Sequence, residues 1–396
     1  MQHSPGKSDA APPVHDDPMT QTIIHHLLVG TNRLQRIPPI GVLIALLGLA
    51  ALVGIAWGAM VAFALCAVTM LINWALLWIL PRLERSYGPD RPSALALGVV
   101  LTLGGVVTGL LNAHPVILLA GCAALVGVVY YSTHVEPLRL GVTEQTLVIP
   151  EWRGDAPALR VLHIGDIHVE RITDRERRLN ALVRELTPDV IVFSGDFVNI
   201  SYTDDARAHD DIRTLIGEWR ARYGVYCVGG TYTVESPAHV RAFCAGLDNL
   251  RLLEDAWVSI ATPAGNLHLL GMQTTHRMAV DRAKIRALWD ERPPDDGMTL
   301  LLTHAPDVAP SAGELGFDLY VCGHTHGGQL RLPLVGAIFS GSHYGRRYVM
   351  GRYRVGKTTL YTSRGVGLEG LGAPRARLLC PPEIVLWHIK GGGAND

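Results

Sequence analysis

Charge is missing from two long stretches in the first third of the sequence. Residues 37–80 and 92–135 contain no Asp, Glu, Lys or Arg, and only 12 of the charged residues precede Leu138. Across the whole chain the 35 basic and 36 acidic residues balance, which excludes a strongly basic nucleic-acid-binding protein. A hydrophobic content of 48% excludes a disordered chain. The sequence therefore divides into an apolar first part and a normally charged second part.

Cysteine is scarce, and its spacing excludes two kinds of small domain. The chain has six cysteines, and none of them forms a C-x-x-C pair. Neither a disulfide framework nor a thiolate zinc site is indicated. Lysine is scarcer still, with four residues in the chain. The resulting excess of arginine is compatible with phosphate binding, but coding bias explains it better.

The apolar part is predicted to form four membrane-spanning helices. Residues 40–80 would be about 60 Å long as one helix, which is twice the thickness of a bilayer core. They are therefore predicted to form two helices, with a turn at the glycines that flank Trp57. A second pair of helices is predicted at 93–111 and 116–132, with the break just before and at Pro115.

Arginines predict the orientation of these helices. Four spans place both chain ends on one side, and the arginines that flank the spans on that side are Arg33, Arg36, Arg82, Arg85, Arg91 and Arg139. The positive-inside rule makes this side cytoplasmic. We therefore predict an integral protein of the inner or plasma membrane, with a flexible cytoplasmic tail (1–39), a four-helix anchor (40–135) and a cytoplasmic soluble domain (136–396).

The soluble part alternates short apolar runs with amphipathic, charged ones. Runs at 159–164 and 190–193 predict strands, and each is followed by a predicted helix, at 174–186 and 205–222. Further strands are predicted at 225–228, 267–270, 299–303, 319–321, 359–361 and 384–387, and further helices at 237–245 and 281–291. This order predicts an α/β fold, and the number of strands predicts two packed sheets.

Side chains that can bind metals come at or just after the ends of four predicted strands. They are Asp166, His168, Asp196, His304, His324 and His326. In open α/β sheets, ligands bind beyond the carboxyl ends of the strands, so these six are predicted to converge on one rim. Carboxylates and imidazoles without thiolates suit Mn, Fe or Zn. The set is large enough for two divalent ions bridged by a carboxylate such as Asp196, an arrangement that catalyses phosphoester hydrolysis.

The sequence resembles the calcineurin-like metallophosphoesterases, in particular their bacterial membrane-associated branch, over residues 158–389. The segments that carry the resemblance are Asp166-Ile167-His168 for the D-x-H motif, Gly195-Asp196 for G-D, Thr303-His304-Ala305-Pro306 for the histidine block, and Gly323-His324-Thr325-His326-Gly327-Gly328-Gln329. The resemblance implies a two-sheet α/β/β/α sandwich with a dinuclear metal site. The four-helix membrane anchor precedes this sandwich in the chain.

The resemblance also implies a role for each residue. Asp166, His168 and His326 would hold the first metal, His304 and His324 the second, and Asp196 would bridge them as a catalytic residue. The implied function is a membrane-tethered, metal-dependent phosphoesterase that cleaves a phosphoester or pyrophosphate bond. Its partners would be the membrane and a phosphorylated substrate, for which a lipid-linked phosphate is a candidate. No nucleic acid is expected as a partner.

One motif departs from the family pattern. Where the family has G-N-H-D or G-N-H-E, this chain has Gly230-Thr231-Tyr232-Thr233. Thr231 replaces the Asn of the second metal site, and a hydroxyl is a poorer ligand, so one tight and one weakly bound metal are predicted. Tyr232 replaces the catalytic His, and its ordinary pKa of about 10 makes it a weaker acid than His at about 6.5.

Two functions remain open on the sequence. The first is an enzyme with a remodelled site. The second is a catalytically impaired module that holds a metal and binds or senses phosphorylated lipids or nucleotides. The six retained ligands favour the enzyme, whereas Thr231 and Tyr232 favour the binding module.

Overall fold

The first part of the chain forms four long apolar helices. The computed structural model describes residues 30–372 and 375–392, so most of the predicted tail lies outside it. The helices are α1 (Pro39–Trp57), α2 (Met60–Ile79), α3 (Arg91–Leu110) and α4 (Pro115–Tyr130). α2 and α4 continue into short helical turns, as Met60–Leu83 and Pro115–Leu138, and with these continuations all four helices are long and apolar enough to cross a membrane. They agree with the four predicted spans.

The predicted breaks between these helices are confirmed. After Trp57, Gly58 adopts a left-handed conformation (φ 58°), and its N–H donates to the carbonyls of Gly54 and Ile55. Glycine tolerates this conformation, so α1 ends here. At the second break Pro115 begins α4, and the ring of His114 accepts a hydrogen bond from the N–H of Val116.

Small residues allow α1 and α3 to pack closely. A Cβ atom added at Gly105 of α3 would lie 2.8 Å from a methyl group of Val53, which leaves no room for it. At the same contact, the indole N–H of Trp57 donates to the carbonyl of Gly105 at 2.8 Å. Close backbone approach at glycines is a common way to pack helices in membranes.

The second part of the chain forms two six-stranded sheets. The first sheet consists of β1 (Gly141–Arg153), β2 (Leu159–Ile164), β3 (Val190–Phe193), β4 (Val225–Cys227), β5 (Leu250–Leu252) and β14 (Glu383–Gly392), in the order β1-β14-β2-β3-β4-β5. The second consists of β6 (Ala256–Ala261), β7 (Asn266–Gly271), β8 (Met298–Leu302), β9 (Leu319–Cys322), β12 (Gly351–Val355) and β13 (Thr358–Thr362), in the order β12-β13-β9-β8-β7-β6. A hairpin pairs β10 (Arg331–Leu332) with β11 (Gly336–Ala337).

The sheets pack face to face, with helices on their outer faces. Apolar side chains of both sheets, including Val161 and Leu300, form one buried cluster between them. A second buried apolar cluster lies between the first sheet and the helices on its outer face, and a third lies between the second sheet and the helices on its outer face. These helices are α5 (Asp174–Leu186), α6 (Ala206–Gly217), α7 (Pro237–Cys244), α8 (Met278–Asp290) and α9 (Ala309–Leu315). The predicted α/β/β/α sandwich is confirmed.

Some elements differ from the prediction for identifiable reasons. The strand β1 is not among the predicted strands because it is a half-exposed edge strand with several polar residues, which hides the apolar pattern. The helix predicted at 205–222 is wrong at its end, since α6 stops at Gly217. Beyond it the chain turns so that Trp219 is buried and its indole N–H donates to Asn180 at 2.9 Å. The short elements β5, β6, β10, β11, β12 and α9 were also not predicted.

Hydrogen bonds connect the soluble domain to the anchor at two places. In the loop between α2 and α3, the N–H of Tyr87 donates to the carboxylate of Glu170 at 2.8 Å. Glu170 is buried and pairs with Arg375 at 2.9 Å. Near the end of α4, the carbonyl of Ser132 accepts from the N–H of Arg377 at 2.8 Å. Glu170 lies in the loop that follows β2. The rim of the sandwich formed by the carboxyl ends of strands such as β2 therefore lies against the anchor.

The glycine contact between α1 and α3 gives a prediction about stability. Gly105→Leu should destabilise the anchor by about 1–3 kcal/mol, because the new side chain overlaps Val53. Gly104→Leu is the matched control, since nothing lies within 4 Å of a Cβ atom there. Thermal unfolding of the detergent-solubilised protein measures both. Equal melting temperatures for the two variants would contradict this packing.

Candidate metal centre

All six predicted ligands meet at one rim of the sandwich. β2 and β3 are parallel neighbours in the first sheet, and β8 and β9 are parallel neighbours in the second. The carboxyl ends of parallel strands lie at the same edge, so the loops that follow them come together. Of the six side chains, five are buried and His324 is partly buried.

These side chains form overlapping groups that can hold metal ions. In each group the ligand atoms lie within 4.8 Å of one another, and the groups are His168-Asp196-His326, Asp166-Asp196-His304 and His276-His304-His324. Asp196 belongs to two of them. Its Oδ2 lies 3.4 Å from Nε2 of His168 and 3.2 Å from Nε2 of His304. The carboxylate therefore has the position that a bridging ligand needs.

The imidazoles approach one another closely. Nε2 of His168 lies 2.8 Å from Nε2 of His326, and Nδ1 of His324 lies 3.0 Å from Nε2 of His304. Neutral imidazole presents one lone pair, and a cation between two such rings accepts a lone pair from each. The residues present fit divalent metal ions, since carboxylate and imidazole ligands converge in a buried site.

Backbone conformation brings these side chains inward. Positive φ angles occur at Asp166, His168, Asp196, His276, His324 and His326. Such conformations cost of order 1–3 kcal/mol each outside glycine and cluster at functional sites. Nearby glycines allow the close approach: a Cβ atom on Gly230 would lie 2.2 Å from Oδ1 of Asp196, and one on Gly323 would lie 2.5 Å from Oδ1 of Asp166.

Neighbouring acceptors fix which ring nitrogen of each histidine faces the centre. Nδ1 of His304 donates to the carbonyl of Ser194 at 2.9 Å, and Nε2 of His324 donates to the carbonyl of Gly341 at 3.2 Å. Nδ1 of His168 lies 2.8 Å from the carboxylate of Glu369. The hydrogen bonds of His304 and His324 leave the opposite nitrogen of each ring free for a metal and orient the ring, and the carboxylate of Glu369 lies on the Nδ1 side of His168.

The charges at the rim are strongly coupled. Burial opposes protonation of His168, yet Glu369 and Asp196 outweigh it and raise its pKa to about 9. Burial likewise opposes protonation of His304, and Asp196 raises its pKa to about 9. Burial and the charge of His304 lower the pKa of His324 to about 4. The carboxyl of Asp196 has a pKa well below its usual range because His304 and His168 outweigh the effect of burial.

The two residues of the altered motif are placed differently. The Thr231 hydroxyl lies 3.1 Å from Nε2 of His304, and its backbone N–H donates to Asp196 at 2.7 Å, so Thr231 is part of the ligand cluster. Tyr232 lines a small pocket with Glu254 and Gln273, and the lining of this pocket contains none of the six ligands. Burial raises the pKa of Tyr232, and Asp255 and Glu254 raise it further, which weakens it as an acid.

Three residues at the site are not among those predicted from the sequence. His276 comes after β7, so the rule of strand ends could have found it, but it belongs to no motif used above. Glu369 orients His168 from a loop after β13, where no pattern indicates it. Buried Glu235 accepts hydrogen bonds from the N–H groups of Gly230 and Phe197 at 2.7 and 2.8 Å, which braces the loops around Asp196.

Comparison with known proteins finds related phosphoesterase sequences. Residues 159–328 match the family model described as calcineurin-like phosphoesterase. The chain is 26% identical to the uncharacterized metallophosphoesterase YkuE of Bacillus subtilis over 69% of this chain and 93% of that protein. It is 29% identical to the phosphodiesterase YaeI of Escherichia coli, over 60% of this chain and 84% of that protein.

A further relative has a lipid-containing substrate in its name. It is the UDP-2,3-diacylglucosamine pyrophosphatase LpxG of Chlamydia trachomatis, which is 23% identical over 65% of this chain and 91% of that protein.

The shared position of Asp196 gives a prediction about metal content. Replacing a residue that merely orients a ligand typically weakens metal binding about 10- to 100-fold, and loss of a ligand costs more. Asp196→Ala should therefore lose both ions, whereas His326→Ala should lose one, since His326 belongs to a single group. Elemental analysis of metal-loaded, desalted protein measures this. Full metal content in Asp196→Ala would contradict a bridging role.

Proposed function

We propose that the chain is a membrane-anchored, metal-dependent phosphoesterase that cleaves a phosphoester or pyrophosphate bond of a lipid-linked substrate. The match of residues 159–328 to the calcineurin-like phosphoesterase family supports this proposal. The observation that carries the proposal is the position of Asp196, which is shared by two ligand groups at a rim that lies against the membrane anchor. The domain limits are those given above: an anchor over 40–135 and the phosphoesterase domain over 136–396.

The proposed chemistry needs two divalent ions, which are Mn, Fe or Zn. Such ions supply polarisation of phosphoryl oxygens and activation of the attacking water. Asp166, His168 and His326 would hold one ion, His304 and His324 the other, and Asp196 both. The Thr231 hydroxyl, 3.1 Å from Nε2 of His304, can donate a hydrogen bond to a phosphoryl oxygen bound there.

The properties of Tyr232 favour a substrate with a good leaving group. A catalytic acid contributes about 10²- to 10⁴-fold when its pKa lies near the working pH. Tyr232 has a raised pKa and lines a pocket that contains none of the six ligands, so we assign it a minor role in proton transfer. Phosphate, as the leaving group of a pyrophosphate, needs protonation less than an alkoxide does. The pyrophosphatase name of LpxG supports this substrate class.

Exposed apolar side chains near the rim support a substrate in the bilayer. The β10–β11 hairpin and the residues around it carry large apolar side chains that face solvent, and these are Leu332, Leu334, Val335, Ile338 and Phe339. Leu334 is fully exposed. Contiguous apolar surface of this kind marks an interaction site on most proteins.

The hairpin connects the membrane side of the domain to the ligands. Leu330 bridges to Leu378 in parallel, and the N–H of Leu379 donates to Glu136, just beyond α4, at 3.0 Å. On its other side, the carbonyl of Gly341 accepts from Nε2 of His324. A hairpin held between the end of a membrane helix and a metal ligand is well placed to enter the bilayer surface and deliver a lipid headgroup to the rim.

The arginines support a cytoplasmic location for the domain. Arg85, in the loop between α2 and α3, donates to the carbonyl of His134 beyond α4 at 2.7 Å, so these two ends of the bundle meet. The soluble domain attaches at this same end through Glu170. By the positive-inside rule this end faces the cytoplasm.

Metal removal tests the proposed activity. The full-length protein in detergent should hydrolyse an aryl phosphodiester only after Mn²⁺ or Zn²⁺ is added, and chelator should return the rate to background. Asp196→Ala should stay at background with either metal, since it lacks the shared ligand. Hydrolysis that persists in chelator would contradict the proposal.

A binding module is the second candidate, favoured by Thr231 and by the raised pKa of Tyr232. Its signature in the same assay is a metal-loaded wild type without turnover, whereas the double variant Thr231→Asn, Tyr232→His gains turnover. Turnover by the wild type would reject this candidate.

The hairpin gives a prediction about substrate preference. Leu334→Ser with Val335→Ser should lower the ratio of hydrolysis of a lipid pyrophosphate in vesicles to that of a soluble diester by about 10-fold or more, since burying one such side chain contributes about 1.5–3 kcal/mol. Val148→Ser with Val280→Ser, also exposed apolar residues, is the control. An unchanged ratio in the hairpin variant would contradict insertion into the bilayer.

A further inference from the structure

We propose that His276 is a ligand of the second metal and compensates for the loss of the Asn that Thr231 replaces here. The proposal rests on the proposed function, because it requires a metal-binding centre at this rim. His276 lies outside the motifs that carry the family resemblance.

The position of His276 follows from the sheet order. It comes five residues after the end of β7, which pairs in parallel with β8, so the loop after β7 opens on the same rim as the loop that holds His304. The centroid of the His276 ring lies 4.7 Å from that of His324 and 6.1 Å from that of His304. One ring nitrogen of each of these three residues can reach a common ion.

The His276 ring is buried without a hydrogen-bond partner. Its side chain is 1% exposed, and neither Nδ1 nor Nε2 has a partner among the described residues. Leaving a buried polar group unsatisfied costs about 1–3 kcal/mol, so such groups call for an explanation. The backbone of His276 is held in place, with a φ of 57° and its carbonyl accepting from Nε2 of His343 at 2.9 Å. A bound cation would satisfy the ring.

A carboxylate lies where it can orient the ring. Oδ2 of buried Asp307 lies 4.0 Å from Nδ1 of His276 and also lacks a hydrogen-bond partner, while its Oδ1 accepts from the hydroxyl of Ser342 at 2.7 Å. Metal-bound histidines commonly donate their other ring N–H to a carboxylate. In this arrangement the N–H at Nδ1 would donate to Asp307, which leaves Nε2 free to bind the metal.

His276 and Thr231 both border His304, from different loops. The Thr231 hydroxyl is 3.1 Å from Nε2 of His304, so it borders the proposed second site, where a hydroxyl would be a weak ligand. With His276 the second site has one carboxylate, Asp196, and three imidazoles. Four protein ligands would restore the site, so on this proposal the second site is expected to be strong, whereas Thr231 alone predicts a weak one. The added nitrogen ligand favours Zn²⁺ over Mn²⁺ there.

Metal stoichiometry tests this proposal directly. Full-length protein in detergent, stripped with chelator, is titrated with Zn²⁺ by calorimetry and analysed for bound zinc. The wild type should bind two ions. His276→Ala should bind one with wild-type affinity and the second at least about 10- to 100-fold more weakly. His268→Ala is the matched control, because His268 is a buried histidine on β7 that lies away from the ligand groups and contacts Ser259. It should keep both ions.

A rescue variant guards against loss of folding. Thr231→Asn added to His276→Ala should recover the second ion, because it returns an amide oxygen to the position that the family uses. Recovery also proves that the His276→Ala scaffold is folded. The far-UV circular dichroism of each variant is compared with that of the wild type.

The outcomes separate the two proposals. A wild type that binds no zinc would overturn the proposed metal-dependent function. A wild type and a His276→Ala variant that bind two ions with equal affinity would overturn the role of His276 alone. Selective loss of one ion in His276→Ala, with its recovery on adding Thr231→Asn, would support it.

Discussion

The carboxylate of Asp196 is the contact on which the rest of the site depends. Its Oδ2 lies within 3.4 Å of imidazole nitrogens from loops of both sheets, since His168 follows β2 and His304 follows β8. Positive φ angles turn these loops inward, and Gly230 leaves room for the carboxylate. The sandwich of two sheets serves to bring the strand ends of both to this one residue.

Much of this arrangement could be predicted from the sequence, because strand ends and metal-binding residue types are local features. The strands before Asp166 and Asp196 have the predicted bounds, and the six ligands converge as the strand-end rule requires. The edge strand β1 could not be predicted, since its pairing with β14 joins residues more than 200 positions apart and its exposed side is polar. The role of Glu369 also could not be predicted, because only the tertiary fold brings its loop to His168.

The anchor and the rim of the sandwich are in contact. Glu170, two residues after His168, accepts a hydrogen bond from the loop between α2 and α3. Leu330, just before the β10–β11 hairpin, bridges to Leu378, and Gly341, just after it, accepts from Nε2 of His324. If the four helices span a membrane as proposed, these contacts would place the rim close to the bilayer surface, where a lipid-linked phosphate would be presented.

The most direct test of the account is the electron paramagnetic resonance spectrum of the Mn²⁺-loaded, full-length protein. Two ions that share the Asp196 carboxylate would lie about 3.5–4 Å apart and be magnetically coupled. A carboxylate shared by two ions predicts the spectrum of an exchange-coupled pair in the wild type, and the absence of this spectrum in Asp196→Ala. A spectrum of isolated ions in the fully loaded wild type would contradict the shared ligand and, with it, the two-metal centre.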